Sequence, residues 1–270
     1  MTTRKRVPTE AVRRGTDYTS VTEVPGLGAS GEQMSMLVTR YNLASDLCVS
    51  KDVLEIACGS GIGLGYMAQK ARRVVGGDLN EHVLRIALRH YDGRIPLVRL
   101  DAERLPFAKQ TFDVVVLYEA IYYLATPGTF LDECQRILRH GGTVAVCSVN
   151  REWPDFNPSP FSHRYFSAGE LQDLLRDHGF EVCLYGAFRT GNKLVRDRLV
   201  SWLKRTAVAL NLIPKTMKGK EWLKRLFLGK LTEIPPEIGD GMAAVEQLDL
   251  IRGESPQPQY KVVYAIGRIA

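Results

Sequence analysis

Apolar residues along this chain fall into short unbroken runs that alternate with amphipathic stretches. The runs at 53–56 (VLEI), 72–77 (RRVVGG), 96–100 (PLVRL), 112–118 (FDVVVLY), 143–149 (TVAVCSV), 180–188 (FEVCLYGAF) and 260–269 (YKVVYAIGRI) have the length and β-branched content of buried strands. Between them, residues 32–43, 64–71, 80–91, 129–142 and 167–180 carry apolar positions at helical spacing. Ser167 with Glu170 three positions later is a capping box, and Gly141 and Gly142 are a stop signal for the helix before them. Strand and helix alternating in this way predict an α/β fold with a doubly wound, mostly parallel sheet of seven strands.

The alternation breaks once. Residues 190–258 separate the sixth strand from the last, too long an interval for a structureless loop. Val195, Leu199, Trp202, Leu203, Ala209 and Leu210 share one helical face, as do Trp222, Leu223, Leu226 and Phe227. The expected organisation is therefore an N-terminal segment (1–45), a core (46–190 with 258–270) and a basic, amphipathic helical insertion (191–257). The chain's formal charge of +6 is concentrated there: residues 191–235 hold eleven bases against three acids. Such faces suit a lid over a substrate cleft, peripheral contact with an anionic membrane, or tracking of RNA phosphates.

With 270 residues, 45% hydrophobic and 24% charged, the chain fits one elaborated globular domain. The opening MTTRKRV has no apolar stretch behind it, so no signal peptide is expected, and no run is long enough to span a membrane. Five scattered cysteines without metal-ligand spacing predict a reduced, cytoplasmic protein and no metal site.

The candidate chemistry gathers at 53–63, VLEIACGSGIG, where an apolar strand meets a loop with glycines at 59, 61 and 63 and a helical stretch follows. That is the opening of a nucleotide-binding βαβ unit. Glu55 is a carboxylate inside the strand, which needs a cationic or hydroxyl-bearing partner. Asp78 ends the next strand, 19 positions after Gly59, where an acid can accept from ribose hydroxyls. Asp101, Ala102 and Glu103 follow the third strand. Acids after three successive strands, with no phosphate-binding lysine after the loop, suit a ligand with amine, sulfonium and ribose groups.

This ordered set, E-x-A-C-G-S-G-x-G, then Asp78, then D-A-E-x-L-P-F and F-D-V-V, resembles the class I S-adenosylmethionine-dependent methyltransferases, and within them the small-molecule, type 11-like branch. The resemblance covers about residues 53–180. It implies a Rossmann-like fold whose last strand inserts antiparallel between the fifth and sixth, with the N-terminal segment over the cofactor cleft. It also implies that Glu55 and the loop Ala57, Cys58, Gly59 and Gly61 hold the methionine part of S-adenosylmethionine. Asp78 would take the ribose and Leu79 the adenine face. Asp101 and Ala102 would meet the adenine edge, while Tyr118 and Glu119 flank the transferable methyl. Tyr18, Arg40 and Tyr41 are further candidates toward cofactor carboxylate or substrate. His163, Glu119 and Tyr122 are the candidate bases, with Tyr123 beside them; histidine enters because it titrates near neutrality.

The expected function is methyl transfer to a small-molecule acceptor, a sugar, lipid-linked or secondary metabolite, at oxygen. The alternatives are an RNA methyltransferase using the basic insertion and a non-catalytic, cofactor-binding regulator. Nucleic acid is the weaker partner, because the chain shows neither an RNA-binding module nor a base-flipping motif.

Overall fold

The computed structural model describes residues 21–159, 161–190 and 231–269. In chain order the elements are Gly28–Ala29 (β1), Gly31–Leu47 (α1), Asp52–Ile56 (β2), Leu64–Ala68 (α2), Arg73–Asp78 (β3), Glu81–Tyr91 (α3), Leu97–Arg99 (β4) and Phe112–Tyr118 (β5). Then come a 3₁₀ turn at Ile121–Tyr123, Pro127–Ile137 (α4), Leu138–Val149 (β6), Ala168–Asp177 (α5), Phe180–Arg189 (β7), Thr232–Glu233 (β8), Asp249–Ile251 (β9) and Tyr260–Ile269 (β10).

Eight strands form one sheet in the order β4-β3-β2-β5-β6-β10-β7-β9. The first five run parallel, and β10 lies antiparallel between β6 and β7. This is the doubly wound, Rossmann-like arrangement expected, with one correction. Among the described residues the sheet has eight strands rather than seven, because β9 adds antiparallel to the outer edge of β7, pairing Ile251 with Leu184. Three residues in the charged stretch around Asp249 have no strand signature of their own; the open edge of β7 supplies the pairing.

The period-2 alternation of the strands divides the core. Val53, Val114, Val116, Val262 and Tyr264 face one layer, with Leu37 of α1, Leu64 and Met67 of α2, and Ala87 and Tyr91 of α3. Leu54, Ile56, Val115, Leu117 and Val263 face the other, with Phe130, Leu131 and Ile137 of α4 and Leu171 and Leu175 of α5. Runs that look uniformly apolar in sequence are therefore apolar on both sides for separate reasons.

Helix ends follow local chemistry. Ser30 caps α1 through a reciprocal pair, its Oγ accepting from the Gln33 N–H at 3.2 Å and its own N–H donating to Gln33 Oε1 at 3.0 Å. Ser167 and Glu170 do the same for α5. The stop expected at Gly141–Gly142 is displaced: α4 ends at Ile137, because buried Leu138 already pairs with Phe112 as the first residue of β6. The helix expected at 64–71 is also shorter, ending at Ala68.

The helical faces around Trp202 and Trp222 lie outside the described residues, as does Tyr18. The described remainder of the insertion, 231–257, is strand and turn rather than helix. It returns across the top of the molecule: Gly26 N–H donates to the Ile234 carbonyl at 2.9 Å and Ile234 N–H to the Leu27 carbonyl at 2.8 Å, beside the β1–β8 pairing.

Candidate active site

A cavity of about 490 Å³ opens over the carboxyl ends of β2, β3, β4 and β5, where the strand order reverses. In open α/β sheets this is the ligand position. Its roof is the segment at Val21–Glu23. Ser60 Oγ donates to the Glu23 carbonyl at 2.9 Å, and the Arg40 guanidinium pairs with the Glu23 carboxylate.

The glycine loop is shaped from both sides. Gly59 has φ +56°, and a Cβ there would lie 3.0 Å from Thr22 Cγ2 in the roof. A Cβ on Gly63 would sit 2.0 Å from the Tyr41 ring, so this glycine admits a tyrosine from α1. Tyr41 then reaches Glu55, donating from its hydroxyl to Oε1 at 2.7 Å. Glu55 is thus behind the cavity wall, and the hydroxyl its position called for is supplied from within the chain. Its other oxygen, Oε2, is buried without a hydrogen-bond partner among the described residues. Burial drives the Glu55 carboxyl up to about 7, against the hydrogen bond from Tyr41 and the charge of Arg40. Gly61 is likewise interior: its carbonyl accepts from the Tyr91 hydroxyl at 2.7 Å, and the Tyr91 hydroxyl oxygen in turn accepts the Gly65 N–H at 2.9 Å at the start of α2.

The remaining expected cofactor residues, Ala57, Cys58, Gly59, Asp78, Leu79, Asp101, Ala102 and Tyr118, all line the cavity. Asp78 does structural work as well, Oδ2 accepting from the Gly59 N–H at 2.8 Å and Oδ1 from the Asn80 N–H at 2.7 Å. Burial pushes its carboxyl above the ordinary range despite these bonds. Each oxygen keeps further acceptor capacity for a ligand hydroxyl. Asp101 Oδ1 accepts from the Glu103 N–H at 3.0 Å, closing a turn at the cavity edge. The Tyr118 hydroxyl is buried with no hydrogen-bond partner among the described residues.

The three candidate bases separate. Glu119 lines the cavity at φ +52°, an uncommon backbone state for a non-glycine residue and one concentrated at functional positions. Its Oε2 accepts from the Tyr122 hydroxyl at 2.9 Å, and the Cys147 thiol lies 3.5 Å from Oε1. Burial raises the Glu119 carboxyl above its ordinary range, opposed by Arg40 and by that hydrogen bond. Tyr122 also lines the cavity, but burial and then Glu119 push its hydroxyl well above the usual value, so it stays a donor. Its ring stacks on Tyr165 at 4.2 Å. His163 is exposed and is not among the residues that line the cavity. What it supplies is its backbone N–H, donated to the Tyr122 carbonyl at 2.8 Å.

Other lining residues, among them Trp153 on the loop after β6 and Lys261, Val262 and Tyr264 on β10, were not legible in the sequence. Nothing in the linear order ties the last strand to the glycine loop; only its insertion beside β6 does.

A family profile described as a methyltransferase domain matches residues 54–146, the span from β2 to β6. A probable S-adenosylmethionine-dependent methyltransferase of Mycolicibacterium smegmatis is 33% identical over 184 residues, 65% of this chain and 69% of that protein. The chain belongs to the class I S-adenosylmethionine-dependent methyltransferases. A shorter match, 31% identical over 132 residues (46% of this chain, 53% of the relative), is to a ubiquinone biosynthesis O-methyltransferase of Pseudomonas aeruginosa. Among solved structures, a Thermotoga maritima S-adenosylmethionine-dependent methyltransferase superposes with a TM-score of 0.56 at 19% identity, covering 86% of this chain and 89% of its own, a likeness of fold. S-adenosylmethionine is accordingly the cofactor of this methyltransferase. The cavity suits it: carboxylates at Asp78 and Asp101, a glycine at 59 where side-chain volume would collide with the roof, and no Lys or Arg within 57–63 to meet a phosphate.

Proposed function

We propose that this methyltransferase acts on a small-molecule acceptor, a sugar, lipid-linked or secondary metabolite, and methylates it at a hydroxyl oxygen. The observation that carries the proposal is Glu119, a carboxylate lining the cavity with its proton affinity raised by burial and its geometry fixed by Tyr122. A carboxylate whose proton affinity is raised by burial is better matched to removing a hydroxyl proton during transfer than one at its ordinary value. The O-methyltransferase relative supports the choice of oxygen.

Bound S-adenosylmethionine supplies an electrophilic methyl group on a sulfonium that leaves as a neutral thioether. The chain's residues do the rest by holding and aligning. In our assignment Asp78 accepts from the ribose hydroxyls, Leu79 packs on the adenine, and Asp101 with the Ala102 N–H meets the adenine edge. The backbone of Ala57–Gly61 holds the methionine end, with Glu55 acting through Tyr41. Glu119 receives the acceptor's proton while Tyr122 steadies its second oxygen.

The test is a comparison of Glu119→Gln with His163→Ala. Glu119→Gln should lower kcat by roughly a hundredfold or more, the usual contribution of a general base, with S-adenosylmethionine affinity by calorimetry kept within a few-fold. His163→Ala should leave kcat near normal. The reverse pattern would remove Glu119 from the chemistry.

A further inference from the structure

The cavity lining also includes Trp153 and the first residues of β10, Lys261 and Val262, which the cofactor assignment leaves unused. Trp153 is held in place from behind. Asn150, fully buried, donates from Nδ2 to the carbonyls of Gln257 at 2.8 Å and Tyr260 at 2.9 Å, and its Oδ1 accepts the Glu152 N–H at 3.0 Å. Glu152 in turn accepts from the Gln257 N–H at 2.7 Å, and Trp153 N–H donates to the Asn150 carbonyl at 3.1 Å. The turn carrying Trp153 is therefore locked to the entry of β10.

On this rigid mount the indole N–H is itself buried and has no hydrogen-bond partner among the described residues, while the ring lines the cavity. An indole nitrogen can only donate. Leaving such a donor unmet in a dry site is costly. Beside it, Lys261 Nζ lies 5.6 Å from the centre of the ring and is ion-paired with Glu32 on α1. The indole and a mostly buried ammonium thus stand beside one another on the cavity lining, which also includes Glu119 and Tyr122. The side walls are rings and aliphatics: Tyr122, Tyr123, Tyr264, Met36 and Val262.

We infer that Trp153 is a specificity-determining residue: its indole N–H, with Lys261 beside it, binds a carbonyl or carboxylate oxygen on a flat, hydroxyl-bearing acceptor. The class of substrate is an aromatic hydroxy compound carrying such an oxygen. This rests on the assignment of the cavity to a small-molecule acceptor made above.

A matched pair of probes tests it, 3,4-dihydroxybenzoate and catechol, which differ only in the carboxylate. The full chain, with S-adenosylhomocysteine added, is labelled with ¹⁵N at its three tryptophans, and Trp153→Phe identifies the Trp153 indole resonance. The expected result is a downfield shift of that resonance with 3,4-dihydroxybenzoate and none with catechol. Trp153→Phe, which keeps a ring against the wall, should weaken 3,4-dihydroxybenzoate about tenfold or more, the worth of a hydrogen bond to a charged group, and catechol less than about twofold. Binding of neither probe, an unmoved indole resonance, or equal loss of both probes in Trp153→Phe would each overturn the inference. Methyl transfer is followed in the same samples. The shift and selective binding without transfer would leave Trp153 its role and count against O-methylation, whereas transfer with an unmoved resonance would do the opposite.

Discussion

Glu55 offers a way to weigh the buried cluster behind the cavity through pH. Its carboxyl rises from an ordinary 4.5 to about 7, chiefly because burial disfavours the charged form. Each tenfold change in proton affinity is worth about 1.4 kcal/mol, so the shift corresponds to about 3 kcal/mol. The sign follows from proton counting: between pH 4.5 and 7 the folded chain holds a proton at Glu55 that the unfolded chain has released. Stability from this group is therefore complete below 4.5 and declines as pH rises, the loss being full above about 7. Glu55→Gln replaces the titrating oxygen with an amide and keeps an oxygen for the Tyr41 hydroxyl. Relative to the parent, the variant should be near-equal in stability at pH 5 and about 2–3 kcal/mol more stable at pH 8. Urea unfolding without cofactor at both values measures this. Asp78 and Glu119 are raised in the same direction and tilt both curves alike, and because the Asp78 charge itself helps raise Glu55, the difference between the curves reports Glu55 together with that coupling. Parallel curves would refute a charged, desolvated Glu55. A variant less stable at pH 8 than at pH 5, relative to the parent, would refute the sign.

Asp78→Ala removes acceptors from the Gly59 and Asn80 N–H groups and from the proposed ribose contact; calorimetry should show at least about a tenfold loss of S-adenosylmethionine affinity, at roughly 1.5–3 kcal/mol for a hydrogen bond to a charged group, and unchanged affinity in a folded variant would remove Asp78 from the site. Gly63→Ala sets a methyl 2.0 Å from the Tyr41 ring; displacing that ring also breaks its bond to Glu55, and thermal unfolding should show a loss of roughly 1–3 kcal/mol, as for overpacking, whereas Gly93→Ala, where nothing lies within 4 Å, should show only the strain of its positive φ. For the basic segment at 191–235, co-sedimentation with anionic vesicles at low salt should be weakened by high salt and by Lys224→Glu with Arg225→Glu; absence of binding at low salt would leave the segment without a membrane role. No helix among the described residues is long and apolar enough to cross a membrane.

The pattern of the chain by itself determined the alternating sheet, because runs such as VVVL at 114–117 bury both faces and have no alternative partner in water. It also determined the glycine turn and the acids at 78 and 101, because backbone conformation and strand-end position are local properties of a few residues. Only the tertiary structure decided what those residues meet. Nothing in the sequence pairs Glu55 with Tyr41; that tyrosine, fourteen positions earlier, enters the space left open by Gly63 and donates to one of its oxygens. His163 and Glu119 were both candidate bases in the sequence; the structure puts the first on an exposed loop and the second, half-buried, just past the end of β5 on the cavity lining. Trp153 and Lys261 had no signature at all, since a side chain joins a site through the strand that carries it, and β10 reaches this one by pairing with β6 across more than a hundred residues of chain. Burial, register and desolvation are sums over distant neighbours, and those sums do not exist until the sheet closes.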